Sequence, residues 1–179
     1  DLITQADGKT TADIVAGKTP GLTASQAIGA LKPDDITADL NAVVEYAKTK
    51  IPAANGKVVV AGFCWGGQQT FRFATNNQAI NAAFSFYGPQ PTDPAVFARI
   101  KAPVYGFYAG NDMRVNATID QTKQFMKDAG KTYEPVIYNE GSGHGFMRAG
   151  DPANPDATAP NKQARDDAWK RLLELLKKI

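Results

Sequence analysis

Hydrophobic and polar positions along this chain follow two periods in turn. Four short runs, at 57–61, 80–88, 103–109 and 133–139, are apolar with little alternation, and each closes on glycine, asparagine or proline. Such runs predict strands buried on both faces. Between them the period lengthens. Pro33 suits a first helical turn, Asp34 and Asp35 complement a helix N-terminus, and Ile36, Leu40, Val43, Val44 and Ala47 recur at helical spacing, predicting a helix over 34–50. Further helices are predicted from Cys64 to about Asn76, over 93–99 as a short piece, over 118–129 and over 162–178. In the third of these Ile119, Thr122, Phe125 and Met126 share a face and Gly130 is the stop. In the last, Trp169, Leu172, Leu173 and Leu176 form an apolar stripe expected to pack on a sheet. Residues 1–32 hold no sustained period and read as mostly loop, with a short helix over 25–31.

Strand and helix thus alternate four times, the pattern of a parallel sheet, in chain order, covered by helices. No internal repeat or second domain interrupts it, so residues 1–179 read as one α/β domain. A hydrophobic content of 43% fits a real core, and a net charge of +2 spread along the chain leaves no basic stripe for nucleic acid. No apolar run approaches the ~18 residues of a membrane span. One cysteine excludes an intrachain disulfide, and no metal or cofactor motif is present. The chain opens at Asp1 without methionine or a signal-like segment, so a leader is read as removed or never part of it, and the compartment stays open.

Parallel sheets collect chemistry at the carboxyl ends of their strands. After the first run comes Gly62-Phe63-Cys64-Trp65-Gly66-Gly67. A strand that reverses into a helix within a few residues strains its apex and needs small neighbours, which Gly62, Gly66 and Gly67 provide. Cys64 then sits at the apex, at the positive end of a helix that favours thiolate. The same letters also suit a buried structural cysteine or a phosphate-binding glycine loop. Asp112 follows the third strand and His144, the chain's only histidine, follows the fourth. Alone, each has an ordinary reading, as a helix cap or a surface ring. Together they stand at one sheet edge in the order nucleophile, acid, histidine, which is the order of an α/β-hydrolase triad.

Three segments, the cysteine turn, Gly110-Asn111-Asp112-Met113-Arg114-Val115 and Gly143-His144-Gly145-Phe146-Met147-Arg148, resemble the signatures of the dienelactone hydrolase family. The likeness runs from about Ile36 to the C-terminus and includes Phe86-Tyr87-Gly88. It implies a three-layer α/β-hydrolase sandwich, with a mostly parallel sheet of four strands in this chain and helices on both faces. It also implies Cys64 as nucleophile, His144 as base, Asp112 as its orienting acid, the Trp65 N–H as an oxyanion donor, Arg148 as the grip on a substrate carboxylate and Tyr87 as pocket lining. Cofactors and metal are not expected. The implied reaction is hydrolysis of a small lactone or carboxylic ester, carboxylated in the founding enzymes, through a thioester. Thiolate leaves easily from a tetrahedral intermediate, so amides would collapse back where esters go forward.

The family pattern also holds several strands before the counterpart of Asp1, with a second oxyanion donor, a glutamate beside the cysteine and a further arginine. Glu45, Glu134, Glu140 and Glu174 are the only glutamates here, and none matches. The chain is therefore expected to be the C-terminal portion of the full fold, with the edge of the first strand available to the absent segment or to a second copy. The competing expectation is a hydrolase-like module that keeps the triad but serves in binding or assembly.

Overall fold

The computed structural model describes residues 11–179, which divide into two compact units, one running to Tyr46 and one from Ala47 to Ile179. Residues 1–10 of the stretch read as loop lie outside the described residues. The first unit holds α1 (Thr11–Val15), α2 (Ala24–Gly29) and most of α3 (Pro33–Thr49). Thr23 opens α2 with a reciprocal cap: its hydroxyl accepts from the Gln26 N–H, and the Gln26 side chain accepts from the Thr23 N–H. Ile14 and Ala27 are buried with Leu22, Ile28 and Leu31 against them. On α3 only Ile36 and Val44 are buried, while Val43, expected on the same face, is 62% exposed. A hundred-degree step per residue separates Val43 from Val44, and the narrow buried line follows the latter.

The second unit is built on β1 (Val59–Phe63), β2 (Ala82–Phe86), β3 (Val104–Tyr108) and β4 (Tyr133–Ile137). All pairs are parallel and the order is β1-β2-β3-β4, as the alternation predicts. β1 starts later than its apolar run because side chains take the first donors: the Lys57 N–H goes to Asn55 Oδ1 and the Val58 N–H to Asn81 Oδ1.

Side-chain alternation assigns the two faces of the sheet. Ala82, Phe84, Phe86 and Phe107 bury against Ala164, Ala168, Leu172 and Leu175 of α8 (Ala159–Leu176), with Phe86 and Phe107 stacked at 4.2 Å. On the opposite face Ser85 bonds the Gly67 carbonyl of α4 (Trp65–Asn76), and Phe71 of α4 packs on Phe97 and Tyr133. Phe97 belongs to a 3-10 turn, Pro94–Arg99, and meets Phe125 of α6 (Ile119–Asp128). This is the three-layer α/β-hydrolase-like arrangement.

The stripe expected on α8 is corrected by this packing. Trp169, Leu173 and Leu176 are 40%, 54% and 39% exposed, whereas Ala164, Ala168, Leu172 and Leu175 are buried. Two alanines let the helix lie close on the aromatic layer, and small residues give a weaker apolar signal than the large ones beside them. Arg171 shares that approach, with its guanidinium 4.4 Å from the Phe107 centroid and donating to the Gly106 and Glu134 carbonyls at 2.7 Å each.

Candidate active site

The turn from β1 into α4 holds Cys64 at φ 55°, ψ −118°, a conformation that side chains rarely adopt. The neighbours decide which small residues are needed. A Cβ on Gly62 would collide with the Gly66 carbonyl, and one on Gly67 would stand 2.5 Å from the Phe86 carbonyl oxygen. Gly66 itself has open space around its Cβ position, so the close approach there is made by its carbonyl. Gly88 is a further site of crowding, where a Cβ would run into the backbone of Gly67 and Gln68. The Cys64 N–H is tied to the Phe86 carbonyl at 3.0 Å. Trp65 opens α4, so its N–H has no intrahelical acceptor.

Cys64, Asp112 and His144 come together at the carboxyl edge of the sheet. The His144 Nε2 stands 3.1 Å from the Cys64 Sγ, and its Nδ1 stands 2.6 Å from Asp112 Oδ2. The carboxylate has no proton to give, so Nδ1–H donates to it and Nε2 turns its lone pair toward the thiol. Asp112 is 7% exposed, whereas the histidine side chain is 34% exposed and the cysteine is open to solvent. The other Asp112 oxygen accepts the Val115 N–H at 3.4 Å, capping α5 (Met113–Asn116). The helix cap and the contact with His144 therefore coexist in one residue.

Two side chains outside the expected set hold the loops that carry this arrangement. Buried Ser142 accepts the Gly110 N–H at 2.9 Å and donates to the Asn139 carbonyl at 2.7 Å, while its own carbonyl accepts the Asn111 N–H. This stitches the Asp112 loop to the His144 loop. Asn161, in the first turn of α8, accepts the N–H of Gly143 through Oδ1 at 2.9 Å. Gly145, at φ 78°, then starts α7 (Phe146–Ala149), a turn that needs the left-handed region. The sequence signal for Ser142 was its setting between two glycines before the histidine; Asn161 carried none.

A cavity of about 570 Å³ opens over the sulfur. Cys64, Tyr87, His144 and Arg148, all expected at the site, line it. So do Phe63, Met147, Asp151, Arg165 and Trp169, which sequence reasoning did not place there. Tyr87 is buried, at φ 39°, with its ring edge-on to His144 at 5.1 Å and to Phe146 at 5.2 Å. Burial, then the nearby Cys64 charge, pushes its hydroxyl up to about 12, against a downward pull from Arg148. Tyr87 is accordingly a neutral O–H at any working pH. Among the described residues no group of three or more His, Cys, Asp or Glu is placed to hold a metal ion, and no helix is long and apolar enough to cross a membrane.

Residues 18–179 match the model of the dienelactone hydrolase family. A Methylorubrum extorquens protein provisionally named carboxymethylenebutenolidase is 34% identical over 158 residues, covering 83% of this chain and 52% of that protein. A Salmonella typhimurium protein of the same provisional name is 31% identical over 153 residues, covering 79% and 54%. The chain thus spans about half the length of these curated relatives. A crystal structure of a Klebsiella pneumoniae protein, provisionally called a dienelactone hydrolase, superposes with TM-score 0.69 at 24% identity over 84% of this chain and 63% of that one. Pyrococcus horikoshii acylaminoacyl peptidase superposes with TM-score 0.66 at 17% identity, over 88% of this chain and 30% of that one. At these identities the structural likenesses establish the fold.

Proposed function

Because the chain belongs to the dienelactone hydrolase family, we propose that it hydrolyses a lactone or carboxylic ester with Cys64 as nucleophile, His144 as base and Asp112 as the group that orients it. The observation carrying this reading is the continuous relay from Sγ to Nε2 at 3.1 Å and from Nδ1 to Oδ2 at 2.6 Å. His144 takes the thiol proton as sulfur attacks the carbonyl carbon; a C–S bond forms and the carbonyl electron pair moves to oxygen, toward the Trp65 N–H. The C–O bond to the alkoxide or enolate then breaks and the leaving oxygen takes the proton from His144. Water, deprotonated by the same nitrogen, attacks the thioester, the C–S bond breaks and the thiol is restored.

Binding falls to the cavity walls. Arg148 offers a planar fork to a substrate carboxylate, and the neutral Tyr87 hydroxyl donates a hydrogen bond near the reacting centre. The test is turnover of p-nitrophenyl acetate and of a carboxylated enol-lactone by the wild type, Cys64→Ala and His144→Ala. Loss of the base should lower kcat roughly 10²- to 10⁴-fold, and loss of the thiol at least as much. Variants that retain wild-type rates on both substrates would overturn the proposal.

A further inference from the structure

The cavity over Cys64 has two unlike ends. Arg148 of α7, Asp151 just beyond that helix and Arg165 of α8 gather on one side, with Arg165 Nη2 3.7 Å from Asp151 Oδ2. Trp169 follows Arg165 by four positions, so the two share a face of α8 about one turn apart. The course of the helix sets the direction of that step. α8 starts against the loop after β4, where Asn161 accepts the Gly143 N–H, and the chain leaving it ends beside β1, where the Lys57 amine donates to the Ile179 carbonyl. Trp169 is therefore displaced from Arg165 toward β1, the strand whose last residue, Phe63, also lines the cavity.

Phe63 packs on the Phe86 ring at 4.6 Å yet stays 45% exposed, and Trp169 is 40% exposed. Among the described residues these are the two large apolar side chains that are both exposed and part of the cavity wall. Neither ring has an acid, base or oxyanion role in the proposed hydrolysis. Open aromatic surface beside a nucleophile gains when an apolar group covers it, in proportion to the area withdrawn from water. Two aromatic walls from different elements favour a planar ring, which can lie offset or edge-on against them, over an alkyl chain that must give up rotamer freedom. We propose that Phe63 and Trp169 form a subsite for an aryl group of the substrate, and that Trp169 is a specificity-determining residue. This rests on the reading of Cys64 as the atom at which substrates react.

The test is alkylation of Cys64, the chain's one thiol, by iodoacetamide, its N-butyl derivative and its N-phenyl derivative, each rate divided by that of glutathione with the same reagent. In each case a C–S bond forms, iodide leaves and the thiol proton passes to His144. Wild type should prefer the N-phenyl reagent over iodoacetamide by about tenfold, with the N-butyl reagent between them. Trp169→Ala and Trp169→Gln should bring the preference near that of glutathione, and Trp169→Phe, which keeps a ring, should retain part of it. Leu173→Ala, which removes an exposed apolar side chain of α8 outside the cavity lining, should keep it. Thermal melting checks that each variant is folded. No N-phenyl preference in wild type, an equal gain for butyl and phenyl, or an undiminished preference in folded Trp169→Gln overturns the assignment. Alkylation needs no turnover, so Cys64-dependent hydrolysis of p-nitrophenyl acetate judges the hydrolase reading separately.

Discussion

Asp112 divides its two carboxylate oxygens between tasks that substitution can separate. One oxygen faces His144 Nδ1 and the other caps α5. Asparagine caps helices about as well as aspartate, but its amide can present an N–H where the histidine needs an acceptor. Asp112→Asn should therefore cut kcat by as much as about 10⁴-fold while changing stability by less than ~1 kcal/mol. Paired rate and thermal-melting measurements check it; a large fall in melting temperature would make the residue chiefly structural. At this scale the site was legible where chemistry is marked by local sequence. Cys64, Asp112 and His144 each follow an apolar run and have a glycine within two residues. Arg165 and Trp169 were not legible, because they reach the cavity from α8, whose surface carries many similar charged and apolar residues and no motif.

Among the elements, the turn between β1 and α4 concentrates the steric demand, and its two adjacent glycines should respond oppositely to an added methyl. Gly67 lies against the Phe86 carbonyl, so Gly67→Ala should force the backbone apart and cost on the order of 1–3 kcal/mol. Gly66 has open space and a helical position, so Gly66→Ala should be neutral or stabilise by up to about 1 kcal/mol. Urea denaturation of the two variants checks this contrast, and equal destabilisation would contradict it. Strand order and the long helices were legible because each holds one period long enough to stand out. Strand ends shifted where asparagine side chains took backbone donors, as at Lys57 and Val58. The four-residue helices α5 and α7 are too short to show any period, and α8 hid its buried face behind alanines.

Across the whole molecule, tyrosines packed into the second unit link stability to alkaline pH. Tyr87 and Tyr138 are both pushed up to about 12, chiefly by burial, and burial also raises Tyr108 and Tyr133. A folded-state value above the unfolded value near ~10 means the native state holds the proton more tightly. For Tyr87 and Tyr138 the associated stability is fully present below pH ~10 and is lost as pH rises through about 12, and Tyr108 and Tyr133 act in the same direction. Urea midpoints at pH 9, 10 and 11 should hold between the first two and then fall; a flat profile to pH 11 would contradict the burial argument. The proposed hydrolysis turns on covalent chemistry at one atom, the Cys64 sulfur. Quenching the reaction with p-nitrophenyl acetate in acid and mapping peptides by mass spectrometry tests it most directly. A single transient acetyl group is expected on Cys64, accumulating in step with the burst of p-nitrophenol and absent from Cys64→Ala; turnover without acetylation of Cys64, or an acetyl group on another residue, would rule out Cys64 as the nucleophile.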